Sequence, residues 1–232
     1  MNYRALATDF DGTLAHDGRV SAETVSSLKA LRASGRKAVL VTGRELPDLR
    51  QAFPALDVFD RVVAENGALL YRPATGEERP LAAPPPAAFI ERLRRAGLDI
   101  RAGRVIVAAR ADDEPVLREA IRALALPLQV ILNKGGAMVL PEGVDKTSGL
   151  RVALAELGLS LSDAVAVGDA ENDEGMLAAA GCGVAVANAL EPLKRSAAWV
   201  TRAPRGAGVE QLIERLLADD LRSLIRAAPA RA

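Results

Sequence analysis

Apolar residues fall into two patterns along this chain. Short continuous runs read as buried strands: Arg4–Phe10, Lys37–Thr42 (KAVLVT), Arg61–Ala64 and Ala164–Val167. Between them, apolar residues recur at helical spacing. Ser21–Ser34 carries Val25, Leu28 and Leu31, with Ser21 as a cap and Gly35 just beyond the end. A helix through Leu49 follows Gly43-Arg44, another covers Thr147–Leu157, another starts at Glu174, and Gly208–Leu217 closes the series. Strands that are apolar throughout and alternate with helices predict a parallel sheet covered on both faces. Ala68–Tyr71 opens a hairpin through Thr75-Gly76, while Gly183–Ala187 and Trp199–Thr201 read as strands toward an edge.

The rhythm breaks at Pro84-Pro85-Pro86 and resumes after Pro141-Glu142-Gly143. Between the breaks, a helix (Ala87–Ala96) and two strands (Asp99–Ala102, Arg104–Ala109) are followed by a second set. That set is a helix (Asp112–Ala123) and the strands Leu128–Leu132 and Ala137–Leu140. This predicts a four-stranded sheet with two helices on one face. The expected organisation is α/β: a Rossmann-like, doubly wound parallel core (1–81 and 144–232) with a small α+β cap (82–143) inserted. The tail, Ala227–Ala232, is expected to be loose.

Composition narrows the chemistry. The chain has 232 residues, half of them hydrophobic, which is ample for a buried core. Its 30 basic and 30 acidic residues cancel, so nucleic acid and anionic membrane are not expected as partners held by bulk charge. No apolar run reaches the roughly 18 residues of a membrane span, and the N-terminus lacks a signal peptide's apolar stretch. A soluble, cytoplasmic protein is expected; oligomeric state is left open. One cysteine, Cys182, and one histidine, His16, leave no multi-cysteine or His-rich metal site. Cys182 reads as a small buried residue and His16 as a loop residue. Lysine is scarce (Lys29, Lys37, Lys134, Lys146 and Lys194), so each one stands out.

Acids cluster where strands end. Asp9-Phe10-Asp11-Gly12-Thr13 follows the first strand, and the turn at Gly12 lets two carboxylates converge where open α/β sheets place ligands. Gly168-Asp169-Ala170-Glu171-Asn172-Asp173 repeats this after a later strand. Two oxygen-rich clusters with almost no histidine point to a hard divalent cation, best Mg²⁺. Each has a plainer reading: an Asp-rich turn for the first, a helix cap for Asn172-Asp173. Thr42-Gly43-Arg44 ends another strand and offers a hydroxyl and backbone amides to a phosphate. Lys146, at a helix start, supplies a positive charge there or is a solvated surface lysine.

The order Asp-x-Asp-Gly-Thr, Thr-Gly-Arg, Lys-x-x-Gly, Gly-Asp-x-x-Asn-Asp resembles the motifs of the haloacid dehalogenase superfamily. The insert's position resembles the α/β-capped Cof-type branch, and the cap is similar to that of archaeal phosphoglycolate phosphatases and related sugar-phosphate phosphatases. Glu65-Asn66-Gly67-Ala68 matches a segment of the same branch. The resemblance spans Tyr3 to about Leu217. One departure is that Lys146 is followed by Thr-Ser-Gly rather than directly by glycine.

The resemblance implies a Mg²⁺-dependent hydrolase of small phosphate esters working through an aspartyl phosphate. Asp9 would be the nucleophile, Asp11 the general acid and then base, and Lys146 the neutralising charge. Gly12, Thr42, Gly43, Arg44, Lys146 and Asn172 would hold the phosphate. Asp9, Asp11 (through its carbonyl), Asp169 and Asp173 would form the metal site, with Asp173 and Asn172 also supporting Asp169. Cap residues Arg101, Arg104, Asn133 and Lys134 are candidates for the substrate's organic end. A sugar-phosphate mutase or other phosphotransferase shares the nucleophile. A phospho-accepting receiver domain shares the acids and lysine but lacks an insert and a second acid two residues on.

Overall fold

The computed structural model describes residues 1–133 and 135–225; Lys134 and the Ala227–Ala232 tail lie outside it. The main sheet has eight strands: β1 (Ala5–Thr8), β2 (Lys37–Val41), β3 (Arg61–Ala64), β4 (Leu69–Arg72), β5 (Glu77–Pro80), β10 (Ala164–Gly168), β11 (Cys182–Ala185) and β12 (Trp199–Val200). Their order is β12-β11-β10-β1-β2-β3-β4-β5. From β12 to β3 all pairs are parallel; the β4–β5 hairpin extends the sheet antiparallel.

Helices α1 (Ala22–Ala33), α2 (Leu46–Ala52), α5 (Lys146–Glu156), α6 (Glu174–Ala179), α7 (Glu191–Ser196) and α8 (Arg205–Asp219) belong to this core, followed by a short α9 (Arg222–Ile225). All four residues of β1 are buried, as a strand sandwiched between helix layers must be. Leu6, Leu40, Val63, Val165, Leu150 and Leu212 share one core, so helices and sheet close on the same apolar interior. Thr8 is in register with both Val167 and Leu40, which brings the ends of β10, β1 and β2 level. The acidic loops and Thr42 therefore emerge side by side.

The expected start of α5 is one residue late. Asp145 caps it, its Oδ1 accepting the Ser148 N–H at 2.7 Å while Ser148 Oγ accepts the Asp145 N–H at 2.9 Å. Gly149 lies against the Glu65–Gly67 turn. A methyl group there would come within 2.6 Å of the Gly67 backbone. The glycine three residues past Lys146 thus serves close packing.

The second sheet is built from β6 (Arg101–Ala102), β7 (Val107–Arg110), β8 (Leu128–Asn133) and β9 (Gly136–Pro141), ordered β6-β7-β9-β8 and wholly antiparallel. Helices α3 (Ala87–Arg95) and α4 (Glu114–Ala123) cover one face, where Phe89, Leu93, Val107, Leu117 and Val139 pack together. The strand expected over Asp99–Ala102 contracts to two exposed residues, paired with β7 alone. The alternate residues Ile106, Met138 and Leu140 pack with Val105 and with Ala68 of the core. This sheet is a cap whose uncovered face is turned toward the ends of β1 and β2. No helix among the described residues is long and apolar enough to cross a membrane.

Candidate active site

The candidate side chains stand at strand ends or at a helix start. Asp9 is the first residue past β1, its N–H bonded to the Val167 carbonyl at 3.0 Å. Asp169 is the first past β10, and Lys146 opens α5. Lys146 Nζ donates to Asp9 Oδ1 at 2.6 Å and to Asp173 Oδ1 at 2.7 Å. Lysine and both acids are buried, Lys146 only 1% exposed. The solvated-lysine reading is thereby excluded. Burial opposes a charge on the lysine, but Asp173 and Asp9 hold it above its ordinary range. Burial above all raises the Asp9 carboxyl, Lys146 opposes it and the neighbouring Asp173 and Asp169 reinforce it, for a net value of about 7.

Asp173 is wholly buried, and its Oδ2 accepts the N–H groups of Asp169 and Ala170 at 2.9 and 3.1 Å. Its carboxylate is thus spent on aiming Lys146 and shaping the Asp169 loop. Thr13 Oγ1 donates to Asp169 Oδ1 at 3.4 Å. Oxygens of Asp9, Asp169 and Asp173 lie within 4.8 Å of one another. Three carboxyl groups meet one ammonium here, and every donor is a hard oxygen. That donor set fits a hard divalent cation.

Arg44 forms a two-pronged pair with Asp11, Nε to Oδ2 at 2.6 Å and Nη2 to Oδ1 at 2.7 Å, and its guanidinium lies 5.2 Å over the Phe10 ring. Thr42 Oγ1 accepts the Arg44 N–H at 3.1 Å and keeps its own O–H to donate. The Gly12 N–H bonds the Ala15 carbonyl at 3.1 Å, with Gly12 at φ +87°. The Asn172 amide donates to Asn66 Oδ1 at 3.0 Å.

A cavity of about 240 Å³ opens above these groups, floored by Asp9, Thr42, Gly43 and Asp169 and roofed by the cap. Arg101 pairs with Ala108 and Asn133 with Gly136 across their strands, which turns both toward the core, and both line the cavity. Arg104 does not line it; its guanidinium meets Glu78 at 2.9 Å. His16 is exposed beside Asp17, and Cys182 is buried.

Two residues with defined contacts have no role assigned by the sequence. Asn188 donates to the Gly12 carbonyl at 2.8 Å and accepts the Arg205 N–H at 2.8 Å, tying the first acidic loop to α8. An amide residue just past a parallel strand, β11, was the available signal. Glu65 enters the sequence reading only as part of a motif, and its side-chain partners are in the cap.

The haloacid dehalogenase-like hydrolase family model matches residues 6–84 and 105–213. This chain belongs to the haloacid dehalogenase-like hydrolases. It is an enzyme, a phosphatase of the haloacid dehalogenase type. The phosphoglycolate phosphatase of Methanothermobacter thermautotrophicus is 32% identical, over 92% of this chain and 99% of its own length. Among solved structures, a haloacid dehalogenase-like hydrolase from Bacteroides thetaiotaomicron superposes with TM-score 0.77 at 23% identity, covering 92% and 99% of the two chains. A subclass IIB sugar phosphatase of the superfamily gives 0.75 at 20%, covering 92% and 98%. Both share the capped α/β fold described above.

Proposed function

We propose that the chain is a Mg²⁺-dependent phosphomonoesterase for a small phosphorylated metabolite, phosphoglycolate or a sugar phosphate, with Asp9 as nucleophile. The observation that carries this is the buried Asp9–Lys146–Asp173 array beside Asp169, under a small lidded cavity. Its catalytic residues would be Asp9, Asp11 and Lys146.

Asp9, Asp169 and the Asp11 carbonyl would hold the cation, with Asp173 supporting Asp169. When bound, the cation offsets the negative charge of the phosphate and of Asp9. Lys146, held between Asp9 and Asp173, presents its ammonium to the same charge. Thr42 donates its hydroxyl to a phosphate oxygen, with the Gly43 region and Asn172 alongside. An Asp9 oxygen attacks phosphorus as the ester P–O bond breaks, and Asp11 gives its proton to the departing oxygen. Water then attacks phosphorus of the aspartyl phosphate, Asp11 takes a proton from it, and Asp9 and inorganic phosphate are released. Asp11 cannot donate while both its oxygens accept from Arg44, so that pair must part as the ester enters, freeing Arg44 for the phosphate.

The test is phosphate release from phosphoglycolate and a panel of sugar monophosphates, with Mg²⁺ and with chelator. Release that needs Mg²⁺ is expected, and free phosphate rather than an isomeric sugar phosphate. Asp9→Asn, of the same shape but unable to attack, should abolish turnover with the circular dichroism spectrum unchanged. Residual activity of more than about one part in a hundred of wild type removes Asp9 as nucleophile.

A further inference from the structure

Glu65 stands in the core at the end of β3, yet its carboxylate is bonded to the cap. Oε1 accepts the Arg104 N–H at 2.8 Å, and Oε2 accepts those of Val105 and Ile106 at 2.7 and 2.9 Å. The residue is 1% exposed. The Gly103 N–H bonds the Ile106 carbonyl at 2.9 Å, closing the turn between β6 and β7 so that three successive amides face one anion. A carboxylate buried this deeply persists only where its lone pairs are met, and hydrogen bonds to an ionised acceptor are the strong kind.

The other end of Glu65 is equally fixed. Its N–H bonds the Arg44 carbonyl at 2.9 Å, and the Asn66 N–H bonds the Thr42 carbonyl at 2.9 Å. Glu65 and Asn66 both have left-handed backbones, φ +51° and +53°, an arrangement that non-glycine residues keep only when their surroundings impose it. The acceptor side is shaped to match. A methyl group on Gly103 would stand 2.8 Å from Glu65 Oε1. One residue therefore joins the Thr42–Arg44 loop through its backbone to the cap through its side chain. The turn it grips carries Ile106 and is flanked by Arg101 and Ala108, and all three line the cavity.

We propose that Glu65 is a positioning residue: it clips the cap's β6–β7 turn to the core and so fixes the roof that selects among phosphate esters. This rests on the phosphomonoesterase reading of the site. The apolar contact of Ala68 with Val105, Ile106, Met138 and Leu140 also joins cap to core, but such contact is non-directional and sets no register. The carboxylate supplies the register. Contacts to the phosphate come from the core, so losing the clip should weaken binding of the organic group and spare the chemical step.

The experiment compares wild type with Glu65→Gln, Glu65→Ala and Gly103→Ala, measuring amide hydrogen exchange over 103–107 and kcat and KM for esters of graded size. Glu65→Gln keeps the shape but turns an NH₂ group toward at least one of the three amides. Exchange in that segment should quicken about tenfold. KM for esters long enough to reach the cap should rise about fivefold or more with kcat within about twofold, narrowing the spread of kcat/KM. Glu65→Ala should go further, and Gly103→Ala should act in the same direction without altering the acid. Unchanged exchange and KM in Glu65→Gln and Gly103→Ala overturn the proposal, whether or not Glu65→Ala folds. A uniform fall in kcat for every ester overturns it too. If wild type releases phosphate from none of the esters, the phosphomonoesterase reading fails, and exchange alone then decides whether the clip exists.

Discussion

Lys146 concentrates the electrostatics of this site. Its ammonium is the cation that two buried carboxylates share, at 2.6 and 2.7 Å. Lys146→Met, close in volume and without charge, leaves those acids facing each other in a desolvated place. Removing one partner of a buried ion pair costs about 3–5 kcal/mol. Denaturant unfolding at neutral pH with chelator present should show that loss. Phosphate release should fall by about 10²–10³-fold or more, as when a preorganised electrostatic donor is lost. Wild-type stability with the methionine in place would mean the array carries no strong coupling. Much of this residue set was legible beforehand, because Asp9, Asp11, Thr42, Lys146 and Asp169 stand at strand ends or a helix start that apolar runs reveal. The role of Glu65 was not. Its partners are backbone amides 39–41 residues away, and an amide leaves no mark in a sequence.

Helix α5 does two jobs, one at each end. Its first residue is the catalytic candidate Lys146; its last, Glu156, fastens the helix to the sheet's antiparallel wing. Arg61 Nε and Arg72 Nε each donate to Glu156 Oε2 at 2.9 Å, Arg72 Nη2 donates to Oε1 at 2.6 Å, and Arg79 lies 3.2 Å away. The Arg72 hydrogen bonds above all, then that from Arg61, hold the Glu156 carboxyl at about 2 against the opposing effect of burial. A carboxyl depressed on folding adds stability that is complete above its unfolded value near 4 and disappears as pH falls through its folded value. Glu156→Gln should therefore cost on the order of 1 kcal/mol at pH 7, allowing for partial solvent screening. The gap between variant and wild type should stay constant down to about pH 5 and close as pH approaches about 2. Urea midpoints at stepped pH read this directly; a gap independent of pH would show that shape, not charge, is what Glu156 contributes. Sequence reading found α5 from its periodicity but could not find this bolt, since three arginines from three strands converge only after the sheet forms. The β6 expectation overran for a related reason: an edge strand's length is set by its partner, and β7 meets only Arg101 and Ala102.

The cap has its own core around Phe89, Leu117 and Val139, and the catalytic candidates all lie outside it. Replacing residues 82–143 by a Gly/Ser linker should leave a soluble core with slow phosphate release that no longer discriminates among esters. A core that failed to fold would show the cap to be structurally obligatory. The register of the main sheet has a further consequence, for the order in which the molecule is made. β1 has β2 on one side and β10 on the other, and Ala5 pairs with Ala164. During synthesis β1 therefore waits with one flank unpaired until most of the chain has emerged, many seconds at about 5–20 residues per second. An open strand edge invites pairing with other chains, and a short one invites it least. Four residues, two of them alanine, make β1 a poor template. The brevity that suits the centre of a finished sheet also protects an unfinished one, and Asp9 meets Lys146 and Asp169 only when the last parallel strands close.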